Sequence, residues 1–568
     1  LRTGSALGDR PSDTPATLRL RRFQEPPRAW SPRDAFLYNL LTGNVAVFFG
    51  LPLVAGTVFY FPTRSMLFAI LLTGAFCLLE AVTYAFLVSS MPRIGGDYVF
   101  QSRLLSQTAG SVFSLVGVVV AGGLWLALSG WFAAKLAVAP VFLLTGRALH
   151  IAWLEAMGQW LFSVTGALVL GLIAAVWSGL VNYLGMATYA RVQRGLMAVG
   201  GLGLLVFVAY LALTHFSTDT YIGRAIVYRA LELGYLPEGQ SAGLDATLSL
   251  LPVVAFGLIY PGWVSFQAAE VRRIEVLRNQ WTMTVGAKAA TIAFALVLLP
   301  LPIRHLGEQL FGSMTYLAMH DPRSFWLLVP DLFGMNRSPF VSTIVIVSLV
   351  VAVNSWFWIW VPNHTLAASR VLLAMSWDGV MPQKLSVLRS RSGAPGYALA
   401  VCTALNCGIV ALYSWLGATR LALHATLLSL LCFSVTCIAA ALFPYLRRES
   451  YRHSTAAPYH IARLPLITVT SLLFTAFSAF LMWRYVRFEA VTQRVGMLET
   501  VIVVALLCVC AAVCCLITRG RRGRREGRDL QVFYSEREPE PQLAPGAEGR
   551  SAGFTSTNGV EGDSPMEA

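Results

Sequence analysis

The chain has 568 residues, of which 56% are hydrophobic and 13% charged, and its mean hydropathy is +0.62. These values exclude an ordinary soluble globular protein and leave a polytopic membrane protein. The net charge of +14 is distributed over alternate loops, which fits membrane topology and not a nucleic-acid partner.

Residues 1–35 are polar, Pro-containing and Arg-rich with no early apolar core, so the sequence predicts a disordered cytoplasmic tail and no cleavable signal peptide. Twelve apolar runs of membrane-spanning length follow, near residues 36–60, 66–90, 110–135, 159–183, 189–213, 247–268, 283–303, 340–362, 396–417, 421–445, 465–487 and 499–518. Residues 519–568 read as a second disordered tail. It opens on Arg519 to Arg528, a basic run suited to setting topology beside anionic lipid. With both ends in the cytoplasm, the tails and inner loops carry 30 Lys and Arg residues and the outer loops 11, the positive-inside asymmetry that an odd miscount of spans would scramble.

Span 1 carries two candidate breaks, Thr42-Gly43-Asn44 and Gly50-Leu51-Pro52. Span 2 holds Glu80 and runs into the loop Met91 to Arg103, span 3 holds Trp125, and span 5 carries Gly200-Gly201-Leu202-Gly203. Two long outer loops, 217–245 and 304–339, each have room for a short helix. Span 6 is the most informative, because Tyr260-Pro261-Gly262 interrupts it. Proline removes a backbone donor and glycine loosens the helix, so main-chain groups are freed at bilayer depth, where only protein or a polar cavity satisfies them. Such a break points to a ligand site in a transporter. Span 7 holds Lys288, span 8 holds Ser348, Ser355, Phe357 and Trp358, and residues 363–385 read as an amphipathic cytoplasmic surface helix. Trp131 and Trp360, near helix ends, read as interface-belt residues. All nine cysteines lie inside spans, implying neither a disulfide framework nor a zinc site.

Three segments carry a family likeness. They are Pro92-Arg93-Ile94-Gly95-Gly96-Asp97-Tyr98 after span 2, Phe256-Gly257-Leu258-Ile259-Tyr260 with Glu270 ten residues on, and Ser369, Arg370, Ala374, Met375, Asp378, Gly379 and Pro382 after span 8. In order, spacing and sidedness they resemble the amino acid-polyamine-organocation (APC) family of permeases, over most of residues 33–445. The resemblance implies an all-α membrane protein of twelve transmembrane helices. Residues 36–445 would form a five-plus-five inverted-repeat (LeuT-like) core with spans 1 and 6 discontinuous, and residues 446–518 would hold two C-terminal helices outside the repeat. The chain departs from the family pattern in three places. The Gly-x-Gly of the first span is missing, Arg278-Asn279-Gln280 stands where Asn-Pro is common, and span 5 lacks the lysine that some relatives use in place of sodium.

The function implied is a secondary active transporter moving amino acids across the plasma membrane by alternating access. Freed amides at half-helix N-termini suit a carboxylate, and freed carbonyls suit an ammonium. The expected substrate-binding residues are Thr42, Gly43, Asn44, Gly50, Trp125, Phe256, Gly257, Tyr260 and Trp358, with Trp263 and Phe357 adding aromatic surface. Spans 3, 6, 8 and 10 contain no acidic residue, which favours a neutral amino acid over a polyamine. Coupling to H+ or Na+ falls to Glu80, with Ser348 and Ser355 as oxygen donors for sodium. Lys288 is the other clear intramembrane charge. No cofactor is expected, membrane lipid is the only partner besides the substrate, and the oligomeric state is open. The sequence has no HExxH, Gly-x-Ser-x-Gly or phosphate-cradling glycine loop, His150, His215, His305, His320, His453 and His460 fall in or near loops and His424 is alone in span 10, so an enzyme is not expected. The alternatives are a gradient-free amino acid or amine exchanger and a transport-dead nutrient sensor acting through the basic tail.

Overall fold

The computed structural model describes residues 26–42, 63–213, 220–235, 244–260, 262–298, 300–334, 339–416, 418–487 and 497–526. Nine helices among the described residues are long and apolar enough to cross a membrane, which makes the chain an all-α multi-pass membrane protein. They are Met66–Ser90, Gln107–Ala148, Val164–Tyr183, Met186–Leu213, Leu277–Leu306, Thr343–Trp377, Gly396–Trp415, Ala425–Leu446 and Leu466–Tyr485. A shorter apolar helix, Ile502–Thr518, lies within Met497–Glu526. Of span 1, the helix Pro32–Thr42 is described. Gly43, Asn44, Gly50 and the expected breaks there lie outside the described residues, as does Pro261. The two long loops hold the short helices Tyr221–Glu232, Glu308–His320 and Pro322–Gly334.

Residues 26–35, which the sequence places in the N-terminal tail, lead into and begin the helix Pro32–Thr42. Ser31 and Asp34 exchange hydrogen bonds across the first turn, a reciprocal cap with Pro32 at the first helical position. Trp30 ahead of that cap is fully buried, and its indole N–H donates to the Met186 carbonyl at 2.8 Å.

The helix of span 6 runs from Leu244 to Leu258 and stops. Single 3₁₀ turns, Trp263–Phe266 and Ala268–Glu270, replace it until helix resumes at Leu277. Glycine is required at position 262, because a Cβ there would lie 2.1 Å from the Tyr84 ring. The unwound stretch is tied on both sides. Gly95 N–H donates to the Phe266 carbonyl at 2.9 Å, and Trp30 exchanges main-chain bonds with Glu270 and Arg272 at 3.1 and 2.9 Å.

Span 8 corrects the sequence reading. One helix runs for 39 residues from Pro339 to Trp377, so the surface helix expected over 363–385 is mostly its continuation. Pro362 lies inside it and leaves the Trp358 carbonyl without its helical donor. The Trp177 indole N–H supplies the missing bond at 3.1 Å, and Asn182 donates to the Pro362 carbonyl at 3.0 Å. The neighbouring span thus stitches the helix where proline would otherwise weaken it. The helix ends at Asp378-Gly379, with Gly379 at φ 80°, the left-handed stop that glycine tolerates.

The same helix packs closely on Met186–Leu213. A Cβ at Gly200 would lie 2.6 Å from Ser355 Cβ, and one at Gly203 would lie 2.6 Å from the Ser348 carbonyl oxygen. Gly200 and Gly203 of span 5 are therefore contact points for span 8.

Gly262→Ala is expected to cost about 1–3 kcal/mol through overlap with the Tyr84 ring. A lowered apparent Tm of the purified protein checks this, and an unchanged Tm would show that the break tolerates a side chain.

Candidate functional site

The unwound stretch of span 6 faces an aromatic cluster built from three spans. Trp125 from span 3 lies with its ring centroid 4.3 Å from Phe256 and 5.5 Å from Tyr260. Trp360 lies 5.8 Å from Trp125 and 5.2 Å from His364, whose ring stacks parallel to Trp125 at 6.3 Å. Trp263, just past the break, lies 5.6 Å from His364 and 6.0 Å from Tyr260. All are buried. Among the described residues, Trp125 Nε1, Trp263 Nε1 and both ring nitrogens of His364 have no hydrogen-bond partner. Buried polar atoms are rarely left so, and four around one break mark a place suited to a polar ligand.

Of the residues expected to bind substrate, Trp125, Phe256 and Tyr260 are brought together here, and Gly257 is buried in the last turn before the break. Trp358 is not. Its ring lies 6.2 Å from Trp177 on another face of the helix, whereas Trp360, expected at the lipid interface, occupies the cluster. Two residues along a helix turn the side chain by about 200°, so only one of the pair can face inward. Trp131 is partly buried beneath the Lys135 ammonium, 4.4 Å from its ring. Phe357 lies against Phe132, with ring centroids 6.3 Å apart. The Ser355 side chain and the Ser348 main-chain carbonyl lie against Gly200 and Gly203 of span 5. The side chain of Thr42 lies outside the described set.

Two functional candidates were missed in the sequence. His364 lies two residues past the expected end of span 8, at the start of the stretch that reads as a cytoplasmic surface helix. Asn39, an amide in an apolar span, accepts from the freed Val264 N–H at 3.1 Å and donates to the Met283 carbonyl at 2.8 Å. Its signal was a buried-pattern position occupied by a side chain that needs partners.

Beyond the break, the family-like segments converge at one end of the bundle. Arg370 makes a bidentate, fully buried pair with Glu270, at 2.9 and 3.2 Å. Asp378 accepts both oxygens' bonds from Arg103, at 2.8 and 2.9 Å, and one from the Tyr98 hydroxyl at 2.9 Å. Asp97 accepts from the Tyr84 hydroxyl and from Thr436 at 2.6 Å. Gly95 (φ 115°) and Gly96 (φ 50°) make the turn, and a Cβ on Gly96 would lie 2.6 Å from both Phe266 and Ser265. Residues far apart in sequence thus close one floor beneath the unwound stretch. Burial pushes the Asp97 carboxyl up to about 6, against the hydrogen bonds from Thr436 and Tyr84 that favour its ionised form.

The described residues include no group of His, Cys, Asp and Glu placed to hold a metal ion. No protein-family model matches the chain, and no curated protein matches it either.

Two outcomes follow from the floor. Native Asp97 takes up its proton near pH 6 and the unfolded chain near 3.8, so the native state binds more protons between these values. Its contribution is full below about 3.8 and is lost as pH rises through about 6, a difference of about 3 kcal/mol. A pH series of thermal melts is expected to show this fall, and Asp97→Asn to flatten it. Arg370→Met is expected to destabilise by about 3–5 kcal/mol by stranding Glu270, and the double variant with Glu270→Leu to recover part of that loss. A single variant as stable as the parent would remove the pair from the floor's energetics.

Proposed function

We propose that the protein is a secondary active transporter that moves neutral amino acids across the plasma membrane by alternating access, driven by a proton or sodium gradient. On this reading the chain has twelve transmembrane helices, a five-plus-five APC-like core and two cytoplasmic termini. The carrying observation is the helix that ends at Leu258 beside Trp125, Phe256, Tyr260, Trp263 and His364. Unwound backbone offers amides and carbonyls to the two charged ends of a zwitterion, and the rings accept an apolar side chain. The unpartnered His364 and indole nitrogens add polar contacts where the substrate would sit. The Arg370–Glu270 and Arg103–Asp378 pairs then form the closed cytoplasmic gate.

The ring faces also favour a second reading, an exchanger of amines, because aromatic faces attract an ammonium without any carboxylate. Counterflow without an ion gradient, accelerated by a loaded trans side, separates that reading from the first.

The test is uptake of labelled neutral amino acids by the purified protein in liposomes, under an imposed proton or sodium gradient. Phe256→Ala and His364→Ala are each expected to weaken substrate-induced thermal stabilisation by about tenfold in apparent Kd. Absence of both accumulation and counterflow for every common amino acid would reject the transporter reading.

A further inference from the structure

Behind the aromatic cluster, two intramembrane charges bear on the same break. Glu80, on the helix Thr63–Ser90, is fully buried, and neither carboxyl oxygen has a hydrogen-bond partner among the described residues. Lys288, on the helix Ala287–Leu298, is equally buried, and its ammonium donates to the Leu258 carbonyl. Leu258 is the last helical residue before the interruption, so this carbonyl is one that the break sets free. A lysine at the C-terminal end of a helix also meets the negative end of its dipole. The titratable groups within electrostatic reach of Glu80 are Lys288, Asp97, Cys77 and Tyr84, together with Tyr260 in the break and Cys437 on the helix Ala418–Leu446. Lys288 is the cation among them.

We infer that Glu80 and Lys288 form a proton-operated latch on the broken helix, with Glu80 carrying the coupling proton and Lys288 holding the Leu258 carbonyl. The inference rests on the transporter reading for its biological use, and its chemistry stands apart from it. Glu80 takes one proton from water on one side of the membrane and becomes a neutral acid. The Lys288 ammonium then stays on the Leu258 carbonyl, the arrangement seen here. Loss of that proton to the other side leaves a carboxylate, which draws the ammonium away and frees the end of the half-helix. Lys288 keeps its charge throughout, so one proton crosses per cycle. An ion pair formed this way avoids two uncompensated charges at bilayer depth, the arrangement that is most costly there. The latch also gives the coupling ion a direct grip on the element that lines the substrate cluster, since Tyr260 is two residues beyond Leu258.

The reconstituted full-length protein tests this in two independent ways. Infrared difference spectra between acid and alkaline buffer are expected to show a buried carboxylic-acid C=O band that disappears in Glu80→Gln. Hydrogen-exchange mass spectrometry, corrected for the intrinsic effect of pH, is expected to show faster exchange around residues 256–264 in alkali. Lys288→Met is expected to show that faster exchange at every pH, and it keeps the test open should Glu80→Gln fail to assemble. In transport, acceleration of uptake by an inward proton gradient is expected to be lost in Glu80→Gln. A C=O band that is absent, or that survives Glu80→Gln, overturns the proton site. Exchange at the break that Lys288→Met leaves unchanged overturns the latch. If the parent protein moves no substrate while both spectroscopic results appear, the transporter reading fails and the latch stands.

Discussion

Unwound backbone at bilayer depth is the constraint on which the rest of this structure depends. Between Leu258 and Leu277 the chain gives up regular helical pairing where water is scarce, and each exposed main-chain group needs another partner. Lys288 takes the Leu258 carbonyl, Asn39 takes the Val264 amide, Gly95 takes the Phe266 carbonyl, and Trp30 bonds on both sides of Val271. Three separate regions of sequence, residues 30–39, the turn at Gly95 and the helix of Lys288, are committed to one interruption. The need for close approach then fixes the small residues nearby, with Gly262 under Tyr84 and Gly96 under Phe266.

The buried ion pairs have a related logic. Glu270 sits at the far end of the unwound stretch and is held by Arg370, while Asp378, which follows the long helix, is held by Arg103. Desolvation offsets much of the attraction in such pairs, so their net contribution to stability is small while both partners stay together. What they supply is a contact that water can replace. When a floor of this type parts, the charges are rehydrated, and the cost of separation is lower than for an equivalent apolar seal.

Much of the architecture was legible in the sequence because hydropathy over about twenty residues reports burial in lipid directly. Nine expected spans have a described helix of membrane length, and the interruption at Tyr260 lies where Pro261 and Gly262 placed it. Rotation about a helix axis was not legible. Hydropathy has no face, so it does not show that Trp360 and not Trp358 lies beside Trp125, or that Ser355 and the Ser348 carbonyl pack on glycines. The end of span 8 was misplaced for a different reason. Pro362-Asn363-His364 carries local stop signals, and the donors that override them, Trp177 and Asn182, come from another helix that no local pattern reveals. His364 was hidden by that error. The Glu80 and Lys288 charges were visible in the sequence, but the Leu258 carbonyl that joins Lys288 to the break was not.

The glycine contacts have a mechanical consequence. With Ser355 keyed against Gly200 and the backbone at Ser348 laid over Gly203, the helices Met186–Leu213 and Pro339–Trp377 meet at these two points with no side-chain layer on the glycine side. Sliding one along the other would lift a serine out of its notch, so the pair resists shear and behaves as a single beam. A beam 39 residues long at its longer member is a lever of about 58 Å, and a small tilt at one end becomes a displacement of several ångströms at the other.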